Sequence, residues 1–218
     1  MTKQTIKAVF FDLDGVLINS EVMHQRITED FLREERLPIP PERFYLLIGS
    51  HKSLNPWPQI FAGIDLPISE EEVRTRLRKY KQVRLAQEDY GSYIFPEVKQ
   101  VLSKLKEKGL RIACASSSNM AYIQEVLDSG ELRGLFDLIV TCDDFQRSKP
   151  APDIYLHCLN HFQLPKQQCI VVEDSEIGIA AGKSAGLTVI ARKDTIFHLN
   201  QSQADGFIDD LTGLLALL

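Results

Sequence analysis

Cysteine, tryptophan and methionine are scarce in this chain of 218 residues, with four, one and three copies. Cys114, Cys142, Cys158 and Cys169 stand far apart and form no C-x-x-C pair, which excludes a zinc framework and a disulfide-stapled scaffold. Buried free thiols in a reducing compartment are the remaining reading. No apolar run approaches the length of a bilayer span, and charged residues interrupt the N-terminus before a signal-peptide core can form. We therefore expect a cytoplasmic protein with no membrane partner. A basic excess is missing too: 25 Lys and Arg face 30 Asp and Glu, for a net charge of -5. That balance excludes a general nucleic-acid binder, which needs a basic footprint to neutralise phosphates. Anionic ligands must be met by local groups. Internal repeats and low-complexity segments are absent, so neither disorder nor a fibrous class applies.

What is present is an ordinary globular composition, 44% hydrophobic and 25% charged, enough for one sizeable core and a smaller satellite domain. Residues 6–11 read as a short buried strand. Val22, Met23, Ile27, Phe31 and Leu32 then recur at helical spacing over about 21–36, up to the prolines that begin at Pro38. Residues 42–65 are broken by Gly49, Pro56 and Pro58, which predicts short helices and loops. Ser69 and Glu72 form a capping box, and Val73, Leu77, Tyr80 and Leu85 mark one face of a helix to about residue 88. From Pro96 onward the pattern alternates. Helices are expected near 98–108, 119–128, 153–162 and 176–185, and strands at 110–115, 138–141, 169–172 and 187–191. Phe207-Ile208 supplies a further edge strand before a Leu-rich C-terminal helix. Such alternation predicts an α/β fold, a doubly wound and mostly parallel sheet covered on both faces. The first strand must pair with the later ones in space, so residues 1–18 and 94–218 form a Rossmann-like core and 19–93 an inserted α-helical cap.

Asp12-Leu13-Asp14-Gly15 directly follows the first strand, placing two carboxylates at a strand's C-terminal end, where open α/β sheets collect ligands. Two acids so close repel unless a cation compensates, and a hard ion such as Mg²⁺ chooses carboxylate, carbonyl and water oxygens. Alone, the tetrapeptide also reads as a solvated acidic turn. A calcium loop is excluded, because the apolar Val16-Leu17-Ile18 stands where an EF-hand would continue with ligands. The other strand ends share this rim if the sheet is parallel. Ser116-Ser117-Ser118-Asn119 follows the second strand and offers hydroxyls and N–H groups to a phosphate, or simply caps the next helix. After the third strand, rigid prolines, Pro150 and Pro152, follow Lys149, which otherwise reads as a solvated surface lysine. Glu173-Asp174-Ser175 closes the fourth, as an acidic pair on the rim or as helix N-caps. Taken together, acids from two strands stand ready to hold a metal, and a hydroxyl and an ammonium to hold a phosphoryl group.

Through Asp12-Leu13-Asp14-Gly15, Ser116, Lys149-Pro150 and Glu173-Asp174, in that order, the chain resembles the haloacid dehalogenase superfamily of phosphotransferases over nearly its whole length. The helical insert looks like the cap of the β-phosphoglucomutase and small-phosphatase branch. The resemblance implies that Asp12 attacks phosphorus and becomes an aspartyl-phosphate, and that Asp14 protonates the leaving oxygen and later activates water. It further implies Mg²⁺ held by Asp12, the Asp14 carbonyl and Asp174, with Glu173 on or behind the metal. Ser116, the Ser117 N–H and Lys149 would grip phosphoryl oxygens, and Lys149 would pair with Asp12. Dehalogenases lack an aspartate at the position of Asp14, and the transport ATPases of the superfamily need membrane helices. What remains implied is a Mg²⁺-dependent phosphatase acting on a small phosphorylated metabolite, sugar-phosphate-like, as a monomer or weak dimer.

In the cap, His24 falls where mutases carry a proton-gating histidine, and it reads equally as a plain helix histidine. The loop Gly49-Ser50-His51-Lys52 stands where mutases carry a phosphate-binding arginine. Lys52 cannot reproduce the bidentate grip of arginine, which turns the reading away from a β-phosphoglucomutase-type phosphohexose mutase. A non-catalytic protein that binds a phosphorylated ligand is the third alternative, opposed by the intact Asp12 and Asp14. Trp57 and Phe61 read as part of the cap's own core before they read as a wall for the leaving group.

Overall fold

All four side chains of the first strand, Ala8–Phe11, are buried, as a strand covered on both faces requires. The structure, a computed structural model, describes residues 5–48 and 55–218. Strands β1 (Ala8–Phe11), β2 (Arg111–Ser116), β3 (Leu138–Thr141), β4 (Cys169–Glu173), β5 (Thr188–Arg192) and β6 (Gly206–Ile208) form one sheet in the order β3-β2-β1-β4-β5-β6. Every neighbouring pair is parallel. Phe11 stands level with Cys114 on one side and Val172 on the other, so β1 stops two residues short of the end of β2 and one short of the end of β4, and all three open on the same rim. Strand order reverses at β1, and a crevice opens at such a switch point.

The chain divides into two compact units, one of residues 20–89 and one of the remainder. The inserted unit holds α1 (Ser20–Glu34), α2 (Trp57–Phe61) and α3 (Glu70–Leu85). Phe31, Phe44, Ile60, Phe61, Val73 and Leu77 make its separate small core. The first helix closes at Glu34 because Arg36 takes a left-handed φ of 54° and the Leu37 N–H returns to the Leu32 carbonyl at 2.9 Å. The second junction falls at Asp89 because the following residues already belong to the sheet domain. Asn19 N–H donates to the Tyr93 carbonyl at 2.9 Å, and Phe95 N–H to the Leu17 carbonyl at 3.1 Å. Arg192 then fixes the returning segment, pairing with Glu97 at 2.6 Å and lying 3.5 Å over the Phe95 ring.

The sheet domain carries α4 (Val98–Glu107), α5 (Met120–Ser129), α6 (Asp153–Phe162), α7 (Glu176–Ser184) and α8 (Thr212–Leu217). A short pattern recurs where α4 meets β2 and α7 meets β5: Lys106-x-x-Gly109-Leu110-x-Ile112 and Lys183-x-x-Gly186-Leu187-x-Val189. Both glycines take positive φ, +77° and +75°, and let the helix stop and the strand start at once. Each copy is then locked by an aspartate placed just before the neighbouring edge strand. Asp137 accepts from Lys106 Nζ and from the Ile112 N–H, both at 2.8 Å. Asp205 does the same with Lys183 and with the Val189 N–H at 2.8 Å. Burial pushes the Asp137 carboxyl up, but the bonds from Lys106, Ile112 and Arg111 outweigh it and hold the group below the ordinary aspartate value of 3.8.

A carboxyl lowered by folding adds stability above its unfolded value and loses it as pH falls through its folded value. Asp137→Asn therefore lowers stability by about 1–2 kcal/mol at neutral pH. The gap from the parent protein, read from urea midpoints, closes as pH is taken below 3.8. An unchanged gap in acid contradicts the clamp.

Candidate active site at the sheet rim

The site begins where β1 ends. Asp12 N–H donates to the Val172 carbonyl at 3.0 Å, extending the pairing with β4 by one residue and fixing where the Asp12 side chain starts. Lys149 arrives from the segment after β3. The residue is only 4% exposed, so the solvated-lysine reading fails. Nζ donates to Asp12 Oδ1 at 2.5 Å, to Glu173 Oε1 at 2.7 Å and to the Ala115 carbonyl at 2.9 Å. An ammonium has three N–H donors, and all three are engaged. In this arrangement Lys149 orients two carboxylates, and it meets a phosphoryl oxygen only by releasing one of its three acceptors. Glu173 is fully buried. Its Oε1 also accepts from Tyr155 OH at 2.6 Å, and its Oε2 from Asp174 N–H at 3.2 Å and Ser175 Oγ at 3.3 Å.

Asp14, half-buried, is held by two hydroxyls, one just before α5 and one in its first turn: Ser118 Oγ donates to Oδ2 at 2.8 Å and Tyr122 OH to Oδ1 at 3.0 Å. Ser116 is buried and its hydroxyl accepts from the Ser118 N–H at 3.0 Å, while Ser117 is exposed. Asn119 is the residue that caps α5, accepting from the Tyr122 N–H at 3.0 Å. The serines are thereby released from the capping role. At α7 the cap is Ser175, which accepts from the Gly178 N–H at 3.2 Å, and Asp174 does not serve as one.

Asp12, Glu173 and Asp174 are all buried, and one carboxylate oxygen of each lies within 4.8 Å of the others. Burial drives the Asp12 carboxyl well above the usual aspartate range; Lys149 opposes this, and the Glu173 and Asp14 carboxylates add to it. Three buried carboxylates against one ammonium leave a local excess of negative charge. The residues present fit a hard divalent cation, since the donor set is all oxygen and the charge imbalance calls for one. Space is reserved for this cluster by two glycines. Gly15 has φ +74°, and a Cβ there would lie 2.0 Å from Asp174 Oδ2; one at Gly178 would lie 2.0 Å from the Glu173 carboxyl carbon. Gln201 Nε2 donates to the Asp174 carbonyl at 2.5 Å and the Arg192 carbonyl at 2.7 Å, tying the end of β4 to the end of β5.

Of the residues singled out from sequence, Asp12, Asp14, Ser116, Ser117, Lys149, Glu173 and Asp174 all belong to the sheet domain, at the ends of β1, β2 and β4 and the segment after β3. His24 belongs to the inserted unit, half-buried on α1, where its backbone carbonyl accepts from Thr28 Oγ1 at 2.7 Å. Lys52 lies outside the described residues. Trp57 stacks on Phe61 at 5.6 Å between ring centroids, within the inserted unit's own core. Sequence reasoning missed Tyr155, Tyr122 and Gln201, and gave Ser118 no separate part. The two tyrosines sit where a helix presents an apolar residue, and nothing in the periodicity separates a phenol with a carboxylate partner from a core ring.

Carboxylates from two adjacent strand ends, gathered about one buried lysine, define a carboxylate-centred site of a doubly wound α/β protein. Residues 9–192 match the family model of haloacid dehalogenase-like hydrolases, and the chain belongs to that family. It is 28% identical over 230 residues to hexitol phosphatase B of Escherichia coli, covering 99% of this chain and 97% of that protein. It is 32% identical over 198 residues to the chloroplast protein SUPPRESSOR OF QUENCHING 1 of Arabidopsis thaliana, covering 88% of this chain but only 18% of that much longer protein. Among solved structures, CbbY from Rhodobacter sphaeroides in complex with phosphate shares the fold, with a TM-score of 0.70, 22% identity and 96% of each chain covered.

Gly178→Ala pushes the Glu173 carboxylate out of the cluster. Binding of a divalent cation, measured by calorimetry, is expected to weaken about tenfold, the usual scale for disturbing a ligand's support. Far-UV circular dichroism should stay unchanged. Parent-like cation affinity contradicts this packing.

Proposed function

We propose that the protein is a Mg²⁺-dependent phosphatase that hydrolyses a small phosphorylated metabolite, sugar-phosphate-like, through an aspartyl-phosphate on Asp12. The observation that carries the reading is the Asp12 carboxylate, oriented by a buried ammonium at 2.5 Å, with a second carboxylate, Asp14, two residues on and held by hydroxyls. Likeness to a hexitol phosphatase along nearly the whole of both chains supports the substrate class.

In this reading Asp12 attacks phosphorus in line with the ester oxygen. The P–O bond to the alcohol breaks as a Asp12 Oδ–P bond forms, and protonated Asp14 delivers its proton to the departing oxygen. Asp14, now ionised, takes a proton from the water that attacks the aspartyl-phosphate, which restores Asp12 and releases inorganic phosphate. The Ser116 hydroxyl and the Ser117 N–H hold phosphoryl oxygens, which is most of what phosphoryl transfer asks of a protein. Asp12, the Asp14 carbonyl and Asp174 would hold Mg²⁺, with Glu173 bonded to Lys149 at their side. When bound, the cation supplies positive charge that lets a phosphate approach three carboxylates. Ser118 and Tyr122 keep Asp14 aimed between turnovers.

Asp12→Asn is expected to lower phosphate release from a panel of sugar and sugar-alcohol phosphates by roughly 10³-fold or more, since it removes the nucleophile. Free phosphate should be the product that accumulates. Full activity in Asp12→Asn refutes the reading, and interconversion of hexose phosphates primed by a bisphosphate replaces it with a mutase.

A further inference from the structure

We propose that Tyr155 is a positioning residue of this site: its hydroxyl holds the Glu173 carboxylate and, through it, sets the Lys149 ammonium against Asp12. The kinetic part of the proposal rests on the phosphatase reading; the geometric part does not.

Tyr155 is fully buried in the first turn of α6, within the cluster that includes Phe10, Ala115, Cys158 and Val171. Phenylalanine would fill that volume with no polar atom to satisfy, so a phenol there is unfavourable unless its O–H finds an acceptor. It finds Glu173 Oε1 at 2.6 Å, a short bond to a carboxylate. The same oxygen accepts from Lys149 at 2.7 Å. Two donors converging on one oxygen fix the plane of the carboxylate, while Oε2 accepts at the longer distances of 3.2 and 3.3 Å from Asp174 and Ser175. Lys149 divides its three N–H groups among Glu173, Asp12 and the Ala115 carbonyl. A Glu173 that turns takes the ammonium with it, and the bond to Asp12 lengthens. Tyr155 also meets the lysine directly, with Nζ 5.1 Å from its ring centroid. Phenylalanine keeps that contact and removes the hydroxyl alone.

The test is Tyr155→Phe in the full chain, read in two ways. The ammonium resonance of Lys149, observed by NMR with isotope-labelled lysine and assigned by its loss in Lys149→Arg, should shift. With a sugar phosphate and Mg²⁺, kcat should fall about tenfold, the worth of one hydrogen bond to a charged group, with KM within about twofold. In a Glu173→Gln background the same substitution should change kcat by less than about twofold, because the partner it acts through is already altered. An unmoved ammonium resonance overturns the proposal, and so does an equal tenfold loss in both backgrounds. Should the parent protein release no phosphate, the phosphatase reading fails while the resonance still decides the role of Tyr155.

Discussion

One ammonium shared by two buried carboxylates is the constraint around which the sheet domain is built. Removing charges from water costs several kcal/mol per ion after relaxation, and breaking such a pair by deleting one member costs about 3–5 kcal/mol. A site of this kind persists only if its surroundings supply every remaining donor and acceptor. Here they come from four separate places: the Ala115 carbonyl of β2, the Tyr155 hydroxyl of α6, the Asp174 N–H and the Ser175 hydroxyl. The two glycines belong to the same requirement, since a side chain at Gly15 or Gly178 would occupy the space of Asp174 or Glu173. Sheet, helices and turns therefore converge on Lys149, and its bond to Asp12 is what gives the candidate nucleophile a defined direction.

The two ends of the sheet carry different burdens. At the ends where β2 and β5 begin, two lysine–aspartate clamps join each strand to the edge strand beside it, using the same spacing of lysine, glycine and leucine. At the opposite rim, carboxylates are crowded beyond what one lysine balances, and burial pushes the Asp12 carboxyl up. Satisfied charge at one end and unsatisfied charge at the other is the distribution expected when one end supports the fold and the other binds a ligand.

Much of this was legible in the chain because buried parallel strands are short apolar runs bounded by polar turns. β3 and α6 begin and end where the pattern places them, at Leu138–Thr141 and Asp153–Phe162. The acids, serine and lysine of the rim stood out because each follows such a run. Less legible was which neighbour does the capping: Asn119 and Ser175 take that task, and only hydrogen-bond geometry separates them from the serines and aspartate beside them. The enclosure of Lys149 was legible only through the family resemblance, which pairs it with Asp12, since a lysine followed by Pro150 and Pro152 looks the same in sequence whether solvated or enclosed. Tyr155 and Tyr122 were hidden for the opposite reason, as aromatic residues in helices that pack whether or not their hydroxyls act. The end of α1 at Glu34 depends on a left-handed Arg36, a backbone choice that hydrophobic spacing does not encode.

The most direct test of the account is chemical trapping of the nucleophile. Protein mixed with a sugar phosphate and Mg²⁺ is quenched during turnover, treated with borohydride and sequenced by mass spectrometry. Reduction of an aspartyl-phosphate converts that aspartate to homoserine, and the account predicts homoserine at position 12 and nowhere else. Steady phosphate release with an unmodified Asp12, or with the modification at Asp14, Glu173 or Asp174, would contradict it.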